Sequence, residues 1–440
     1  MKTLLKPLSL ALFVAATLLT QSACNRTSPP FCKAIGGATR DEGQFLIQTS
    51  DGGYAITGAT KSFGAGGADV YVVKLDAHGN LQWTRTIGGK DEDLSFSLIQ
   101  TSDGGYAIAG ATKSFGAVVV DVYVVKLDAN GNLQWTKTIG RIGAHVGASL
   151  IQTSDGGYAI AGVTISSGAG ELDVYVVKLD ANGNLQWTKT IGGKNWEEGN
   201  SLIQTSDGGY AITGSTESFG AGGADVYVVK LDANGNLQWT KTIGGPKGEG
   251  GRSIIQTSDG GYAITGATKS FGAGGEDVYV VKLDANGNLQ WTKTIGGENN
   301  DWGNSLIQTS DGGYVIAGYT TSFGAGEADV YVVKLDANGN LLWTKTIGGP
   351  ESEEGNSLIQ TSDGGYAIAG VTSSFGAGEA DVYVVKLDKN GDACCAVSQT
   401  SQVGSGGTLS SPTPSIGSGG TLTAPTSSIS SGGTLTNQCP

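Results

Sequence analysis

The sequence predicts an all-β protein, a seven-bladed β-propeller, and three observations lead to this fold. First, the 440-residue chain repeats itself every 52 residues. Second, each repeat contains four short strand-like segments separated by glycine-rich turns. Third, the strand missing from the last repeat is found ahead of the first. A fixed period of this length with four strands per unit is typical of a propeller blade. The period is clearest in the tryptophans Trp83, Trp135, Trp187, Trp239, Trp291 and Trp343.

The first repeat illustrates the blade. Its predicted strands are Phe45–Ser50, Tyr54–Thr60, Val70–Leu75 and Leu81–Ile87. The Asp-Gly and His-Gly pairs between them tolerate the positive φ angles that tight hairpins need. The third strand is apolar throughout, which indicates that neighbouring blades cover both of its faces. We expect each repeated tryptophan to fill the space between adjacent blades.

The two chain ends predict that the ring is closed by the N-terminal strand. The seventh repeat stops after Asp388-Lys389-Asn390-Gly391 without its fourth strand. Residues 31–37 supply such a strand, in which Phe31 aligns with Trp83 and Ile35 with Ile87. A linear β-array or β-helix, the competing architecture, gains nothing from this transfer, whereas a ring loses its exposed edges. We therefore expect one propeller domain over residues 31–395.

The N-terminus predicts export. Two lysines precede the apolar segment Leu8–Leu19, which is too short for a stable membrane span but suits a signal peptide. Residues 20–24 resemble a bacterial lipobox, with Gln21 where leucine is usual. That resemblance implies a signal peptide over 1–23, a lipidated Cys24 and a tether over 24–30. Ordinary cleavage after Ala23 is the alternative. We expect an exported protein at the cell envelope or surface, lipid-anchored, or otherwise extracellular or periplasmic.

The remaining cysteines predict two disulfides, since an even number in an exported chain favours pairing. In the repeat alignment, Cys32 falls in the same outer strand as Cys394 and Cys395. We expect Cys32 to pair with one of these and the other to pair with Cys439. Free or intermolecular thiols are the alternative.

Residues 396–440 form a tail rich in Ser, Thr and Gly. Its Gly-Gly-Thr-Leu element recurs every 13 residues, beginning at 406, 419 and 432. With so few apolar side chains, we expect a flexible low-complexity extension. The regular Thr-Leu pairs leave open a minor role in adding strands to the sheet.

The repeat resembles that of bacterial and archaeal secreted β-propeller proteins. The shared elements are Asp-Gly-Gly-Tyr-x-Ile, Ser-Phe-Gly-Ala-Gly and Asp-Val-Tyr-Val-Val-Lys-Leu-Asp-x-x-Gly-Asn-Leu-x-Trp. Many of those proteins are lipoproteins or surface proteins without assigned function. The repeat is also weakly similar to the tryptophan-docking repeat of quinoprotein dehydrogenases and to the Asp-box of sialidases. These resemblances imply fold and export but carry no catalytic residue.

Composition and motifs argue against several kinds of chemistry. The net charge of −13 disfavours nucleic-acid binding. No pair of histidines, or histidine with cysteines, has metal-ligand spacing, and nucleophile-elbow and phosphate-loop motifs are absent. We expect no catalytic residue, cofactor or metal. Calcium in turns such as Asp76–Asn80 is the alternative, but a hairpin turn is favoured.

We therefore expect a non-enzymatic, monomeric binding or adhesion module for a glycan or surface protein. A propeller enzyme, quinoprotein-like or polysaccharide-active, and a structural envelope scaffold are the alternatives. The links between repeats, all on one face, are where the seven units differ, so we expect the ligand there. Two tryptophans lie in these links outside the packing register. The predicted ligand-binding residues are Trp196, Trp302, Glu197, Asp301 and His145.

Overall fold

The computed structural model describes residues 29–116, 119–140, 143–165 and 170–393, and the backbone of five short strands between 408 and 438. The predicted signal peptide, Cys24 and most of the predicted tether lie outside the described residues, as do Cys394, Cys395 and Cys439. No helix among the described residues is long and apolar enough to span a membrane.

Four kinds of strand build each blade, and their bounds repeat along the chain. The inner strands are β2 (Asp41–Gln48), β6 (Asp93–Gln100), β10 (His145–Gln152), β14 (Glu197–Gln204), β18 (Glu249–Gln256), β22 (Asp301–Gln308) and β26 (Glu353–Gln360). The second strands are β3 (Tyr54–Thr60), β7 (Tyr106–Thr112), β11 (Tyr158–Thr164), β15 (Tyr210–Thr216), β19 (Tyr262–Thr268), β23 (Tyr314–Thr320) and β27 (Tyr366–Thr372). The third strands are β4 (Asp69–Leu75), β8 (Asp121–Leu127), β12 (Asp173–Leu179), β16 (Asp225–Leu231), β20 (Asp277–Leu283), β24 (Asp329–Leu335) and β28 (Asp381–Leu387). The outer strands are β5 (Leu81–Gly88), β9 (Leu133–Gly140), β13 (Leu185–Gly192), β17 (Leu237–Gly244), β21 (Leu289–Gly296), β25 (Leu341–Ile347) and, for the seventh blade, β1 (Phe31–Ile35).

The blades form a closed ring around a central channel. Within each blade the strands pair antiparallel, and each inner strand contacts the inner strands of both neighbouring blades. The predicted seven-bladed propeller is therefore confirmed. The first inner strand was placed too late: it begins at Asp41, four residues before the predicted Phe45, and ends at Gln48, two before the predicted Ser50. The other predicted bounds of this blade agree within one residue. The register against β3 shifts between Gly43 and Phe45, and this bulge breaks the alternation by which a strand is recognised in sequence.

Closure by the N-terminal strand is also confirmed. Strand β1 pairs with β28, and Phe31 lies opposite Lys386 as Trp83 lies opposite Lys74 in the first blade. The Phe31 ring packs edge-on against Tyr54 at 5.9 Å between centroids. Cys32, which is 3% exposed in this strand, takes part in a disulfide bond. Its partner lies outside the described residues, so the predicted connectivity stays a prediction.

The hydrophobic core is divided into seven clusters, each shared by two adjacent blades. In one of them, Val72 and Ile87 of the first blade pack with Tyr106 of the second. Trp83 completes this cluster, 5.8 Å from Tyr106 in an edge-on arrangement. The same ring lies against Gly131, whose φ is +75° and where a Cβ atom would come within 3.0 Å of it. The repeated tryptophans are thus interblade packing residues, as predicted.

Parts of the tail form additional outer strands. They are β29 (Thr408–Ser410), β30 (Ser415–Gly417), β31 (Thr421–Thr423), β32 (Ser428–Ser430) and β33 (Thr434–Gln438). In this order they pair with the outer strands of the fifth, fourth, third, second and first blades. The expectation of a flexible extension is wrong for these segments, and the strand-adding role is the one observed. The physical reason is that an outer strand presents unpaired backbone groups that any extended segment can bind.

Two faces of the ring differ in sequence variation. On one face lie the first and third turns of each blade, joined in the first blade by the ion pair between Lys74 and Asp51 at 2.9 Å. On the other lie the glycine loops, such as residues 61–68, and the links between blades; we call this the loop face. There the backbone N–H of Asp93 donates to the carbonyl of Ala68 at 2.6 Å. The inner strands start at the loop face, so the variable links continue directly into the channel.

Candidate ligand site in the central channel

Sequence variation between the blades continues from the links into the channel. Two positions at the start of each inner strand differ from blade to blade, whereas six of the seven strands end in the same Leu-Ile-Gln. At the first position stand Glu42, Leu94, Val146, Glu198, Gly250, Trp302 and Glu354. At the second stand Gln44, Phe96, Ala148, Asn200, Arg252, Asn304 and Asn356.

All seven residues at the second position, and Val146, Trp302 and Glu354 at the first, line a cavity of about 510 Å³ in the loop-face half of the channel. Its lining is uneven. The first three blades contribute Phe45, Phe96, Val146 and Ala148, which make one side mainly apolar. Blades four to seven contribute amides and an aromatic pair, together with Arg252 and Glu354. This combination of an apolar side and a few polar groups is the common character of small-ligand pockets.

The backbone edges that face the channel are already hydrogen-bonded by side chains of neighbouring blades. Serine hydroxyls accept backbone N–H groups from the next blade, as Ser149 Oγ accepts from Leu202 at 3.1 Å. Equivalent bonds involve Ser97, Ser201, Ser253, Ser305 and Ser357. The amides of Asn200, Asn304 and Asn356 donate to backbone carbonyls of the following blade at 3.0–3.1 Å. The side chains, rather than the backbone, are thus what the channel offers to a ligand.

Trp302 is the centre of the polar side. Its indole stacks on Tyr319 of the same blade, with 6.0 Å between centroids and 14° between planes. Its Nε1 donates to the carboxylate of Glu276 at 2.5 Å, and the Arg252 guanidinium of the preceding blade lies 5.2 Å from the ring centroid. Burial raises the pKa of Tyr319 to about 12, helped by the charges of Glu354 and Glu276.

The other tryptophan predicted as a ligand contact lies elsewhere. Trp196 is 51% exposed on the loop face, and its Nε1 donates to Glu171 at 2.5 Å. It occurs two residues earlier in its repeat than Trp302 does, ahead of the inner strand, and it does not line the cavity. The structure therefore separates the two residues, and the prediction that both contact a ligand stays a prediction.

Glu197, Asp301 and His145 are not surface residues, contrary to the expectation that they face a ligand. All three are fully buried and occupy the same position, the first of the inner strand. Asp301 shows the role: it accepts from the backbone N–H of Gly297 at 2.6 Å and from the Ser322 hydroxyl at 2.8 Å. The Asp301 carboxylate thus joins the link that precedes its own strand to the glycine loop of the same blade. His145 instead packs its ring 5.2 Å from Tyr175. Sequence spacing alone cannot separate such a buried group from an exposed one.

A second acidic residue lies close to each of the buried carboxylates. Asp277, the first residue of β20, and Asp301 both lie against Gly296. A Cβ atom added at Gly296 would be 2.1 Å from Oδ1 of Asp277 and 2.6 Å from Oδ2 of Asp301, so the two carboxylates are close together. Burial and the charge of Asp301 together raise the pKa of Asp277 to about 6, although hydrogen bonds from the backbone N–H groups of Gly274 and Ala273 oppose the rise. Asp225 beside Glu249 behaves alike, with a pKa of about 6 for the same two reasons. Such pairs favour a protonated carboxyl.

These pairs predict a stability gain from Asp277→Asn that depends on pH. The folded-state pKa of about 6 exceeds the ordinary 3.8, so the folded state binds more protons between these values. The carboxyl therefore costs stability as the pH rises from about 4 to above 6. We expect the amide to raise the free energy of unfolding by about 1–2 kcal/mol at pH 7.5 and to have little effect at pH 4. Thermal melts at the two pH values measure this.

The control is Asp284→Asn in an exposed turn of the same blade. Hydrogen bonds from Asn288 and Asn286 lower the pKa of Asp284, so this substitution is expected to give no gain at pH 7.5. An equal effect of Asp277→Asn at both pH values would show that the carboxyl is not protonated preferentially in the folded protein.

Apart from Trp302, the residues that line the cavity were not predicted as ligand contacts, because the most obvious variation between repeats lies in the links. Arg252 and Phe96 stand at a position where three blades have asparagine, and this departure from the repeat is the signal that could have found them. Tyr319 likewise replaces the alanine, valine or serine of the other blades. Among the described residues, no group of three or more His, Cys, Asp or Glu is placed to hold a metal ion.

The family comparison fits this architecture. Residues 172–435, more than half of the chain, match the family model described as outer membrane protein assembly factor BamB. The chain belongs to this family. Its BamB-type repeats account for the propeller and for the predicted weak likeness to quinoprotein repeats, which is confirmed.

Individual relatives are distant. The regulatory protein FlaEY of Caulobacter vibrioides is 26% identical over 198 residues, which cover 41% of this chain but only 20% of that relative. Among solved structures, the Pan2 WD40 domain of Neurospora crassa is 12% identical with a TM-score of 0.46, over 82% of this chain and 96% of that one. A puromycin hydrolase mutant is 14% identical with a TM-score of 0.42, over 83% and 53%. The propeller assignment rests on the strand pairing of this BamB-family chain itself.

Proposed function

We propose that this chain is a non-catalytic binding module of the bacterial cell envelope that takes a glycan or protein ligand into the loop-face half of its channel. The observation that carries the proposal is where the seven nearly identical blades differ: in the links and at the two channel-facing positions of the inner strands. Residues that only build a blade stay the same, because every blade packs against its neighbours in the same way. Variation around one cavity is expected where a ligand without sevenfold symmetry is recognised.

The chemistry of the lining supports a binding role over catalysis. Glu354 is the one carboxylate among the residues that line the cavity, and the lining includes no histidine, cysteine or lysine. Burial raises the pKa of Glu354, an effect that the charge of Arg40 opposes and that of Glu42 adds to. Glycoside hydrolysis uses two carboxylates, and acyl transfer uses a nucleophile beside a base. Neither set is present in this lining.

The envelope location rests on sequence. A signal segment over residues 1–23 and lipidation at Cys24 would place the chain at the cell envelope. The matched family model is described as outer membrane protein assembly factor BamB, which supports the same location. We propose a lipid anchor at Cys24, with the propeller held at the membrane surface.

A channel-filling substitution tests the proposal. Ala148→Phe adds the side chain that Phe96 already has at the same position of the preceding blade, so we expect the fold to accept it. The variant and the unmodified protein are applied to an array of neutral and acidic oligosaccharides and to immobilised outer-membrane proteins. We expect the unmodified protein to bind and Ala148→Phe to reduce that binding at least tenfold, because the added ring occupies part of the cavity.

Trp196→Ala is the matched control, since it removes an exposed tryptophan of the same face outside the cavity. The channel proposal expects Trp196→Ala to bind as the unmodified protein does, whereas a ligand held by both Trp196 and Trp302, as the sequence predicts, would bind the variant more weakly. If Trp196→Ala abolishes binding and Ala148→Phe leaves it intact, the ligand is held on the outer loop face and the channel proposal is wrong.

A further inference from the structure

One cation in the cavity, Arg252, forms no ion pair with any described residue. Arg252 is exposed to the channel, and the ion pairs found among the described residues do not include it. Lys269, which lines a second cavity of about 170 Å³ together with Arg252, is by contrast paired with Glu276 at 3.1 Å. The whole chain has a net charge of −13, so surplus carboxylates are plentiful elsewhere. An unpaired guanidinium in the channel cavity of such an acidic protein indicates that its partner comes with the ligand.

The position of Arg252 suits a carboxylate. Its guanidinium lies over the indole of Trp302, a contact that orients the group while leaving its N–H donors free. A guanidinium with free donors binds a carboxylate through two parallel hydrogen bonds. Glu354 also lines the cavity and Glu198 lines the adjoining one, so a single added negative charge is better accommodated than a doubly charged phosphate.

The uncharged groups match a polyhydroxylated ligand. The hydroxyls of Ser149, Ser201, Ser253 and Ser305 line the cavity and accept backbone N–H groups, which leaves their own protons to donate. The channel asparagines donate through Nδ2 to the backbone, which leaves their Oδ1 atoms to accept. Alternating donors and acceptors suit sugar hydroxyls, which do both. On the other side, Phe45 and Phe96 offer apolar surface for the C–H face of a sugar ring.

The same bonds disfavour a peptide bound as an additional strand. Strand addition needs free N–H and C=O groups along an edge. In the channel, the serine and asparagine side chains already occupy such groups in most blades. An extended peptide would have to break these bonds before it could form its own.

We propose that the ligand is an acidic saccharide whose carboxylate pairs with Arg252 and whose ring lies between the channel asparagines and Phe96. This deepens the proposed function and rests on it. The cavity of about 510 Å³ lies in the range usual for small-ligand pockets, so a short oligosaccharide is the expected occupant.

Isothermal titration with four probes tests the assignment on the mature protein: a galactose trisaccharide in which one residue is galacturonate, its methyl ester, the neutral galactose trisaccharide, and a galactose trisaccharide phosphate. We expect the acidic trisaccharide, with its single carboxylate, to bind most tightly and its methyl ester roughly 10- to 100-fold more weakly, as loss of one charge-assisted contact predicts. Arg252→Gln should weaken binding of the acidic trisaccharide to the level of the ester and leave the neutral probe unchanged.

Arg85→Lys is the control variant. Arg85 also lies over a tryptophan, 5.0 Å from the centroid of Trp83, but outside the cavity, and most other blades have lysine there. Tighter binding of the phosphate probe, equal binding of acid and ester, an unchanged Arg252→Gln variant, or no binding of any probe would each overturn the acidic-saccharide assignment. The wider channel proposal is judged separately, because it depends on whether Ala148→Phe reduces binding to whatever ligand the array reveals.

Discussion

Replacing Cys32 by alanine is expected to lower the free energy of unfolding by about 6 kcal/mol. Cys32 is disulfide-bonded in β1, the strand that completes the seventh blade and closes the ring. With Cys394 or Cys395 as the predicted partner, the bond closes a loop of roughly 360 residues, and the chain-entropy model gives this magnitude for so long a loop. The strand itself comes from the opposite end of the chain, so without the bond only its pairing with β28 and its core packing hold it in the seventh blade.

Guanidinium chloride unfolding with and without dithiothreitol measures the effect. The unmodified protein under reducing conditions should approach the reduced Cys32→Ala variant. The oxidised variant should be more stable than the reduced variant and less stable than the oxidised unmodified protein, because the predicted second disulfide to Cys439 remains in it. If reductant leaves the unfolding midpoint of the unmodified protein unchanged, the bond does not hold the ring closed.

The second large effect is expected from Asp207→Ala, at about 3 kcal/mol of lost stability. Lys230 is 3% exposed in the third strand of its blade, and its ammonium group lies 2.9 Å from Asp207 and 3.0 Å from the carbonyl of Leu231. Burial raises the pKa of Asp207, but hydrogen bonds from Thr205, Lys230 and Gly209 lower it more, to about 2. Removing the carboxylate leaves a buried cation with one neutral acceptor, and breaking such a pair is strongly destabilising. The magnitude is set at the lower end because the side chain of Asp207 is half exposed.

The double variant Asp207→Ala, Lys230→Met distinguishes the effect of leaving the Lys230 charge unpaired from the effect of losing the packing of the Asp207 side chain. Methionine keeps most of the buried stem and removes the charge, so the double variant should recover most of the stability in chemical denaturation. Glu92→Ala is the control: it breaks the exposed pair with Lys113 and should cost less than about 1 kcal/mol. A double variant as unstable as Asp207→Ala would show that the carboxylate acts through the turn and not through Lys230.

Turn residues and the repeated side-chain pattern were enough to predict the hairpins of each blade and the closure of the ring. The Asp-Gly-Gly turns and the Asn-Gly turns mark hairpins because few other residues tolerate their backbone angles, and 22 described glycines have positive φ. Closure was predictable because Phe31 and Ile35 repeat the pattern of Trp83 and Ile87, and the observed pairing with Lys386 and Val382 has the corresponding register. The start of the inner strand was not predictable, because the bulge after Gly43 removes the alternation.

The sequence by itself determined the number of blades, their four strands and the way the ring closes, since these depend on periodicity and turn residues within one repeat. Only the tertiary structure decided which variable residues share a site. Glu197 and Asp301 prove to be buried hydrogen-bond acceptors, while Arg252 and Trp302, 50 residues apart, meet across two blades. The reason is physical: a side chain faces the channel, the core or solvent according to the bulge of its own strand and the packing of the next blade. Neither the bulge nor the packing of the next blade can be predicted from the spacing of residues within a single repeat.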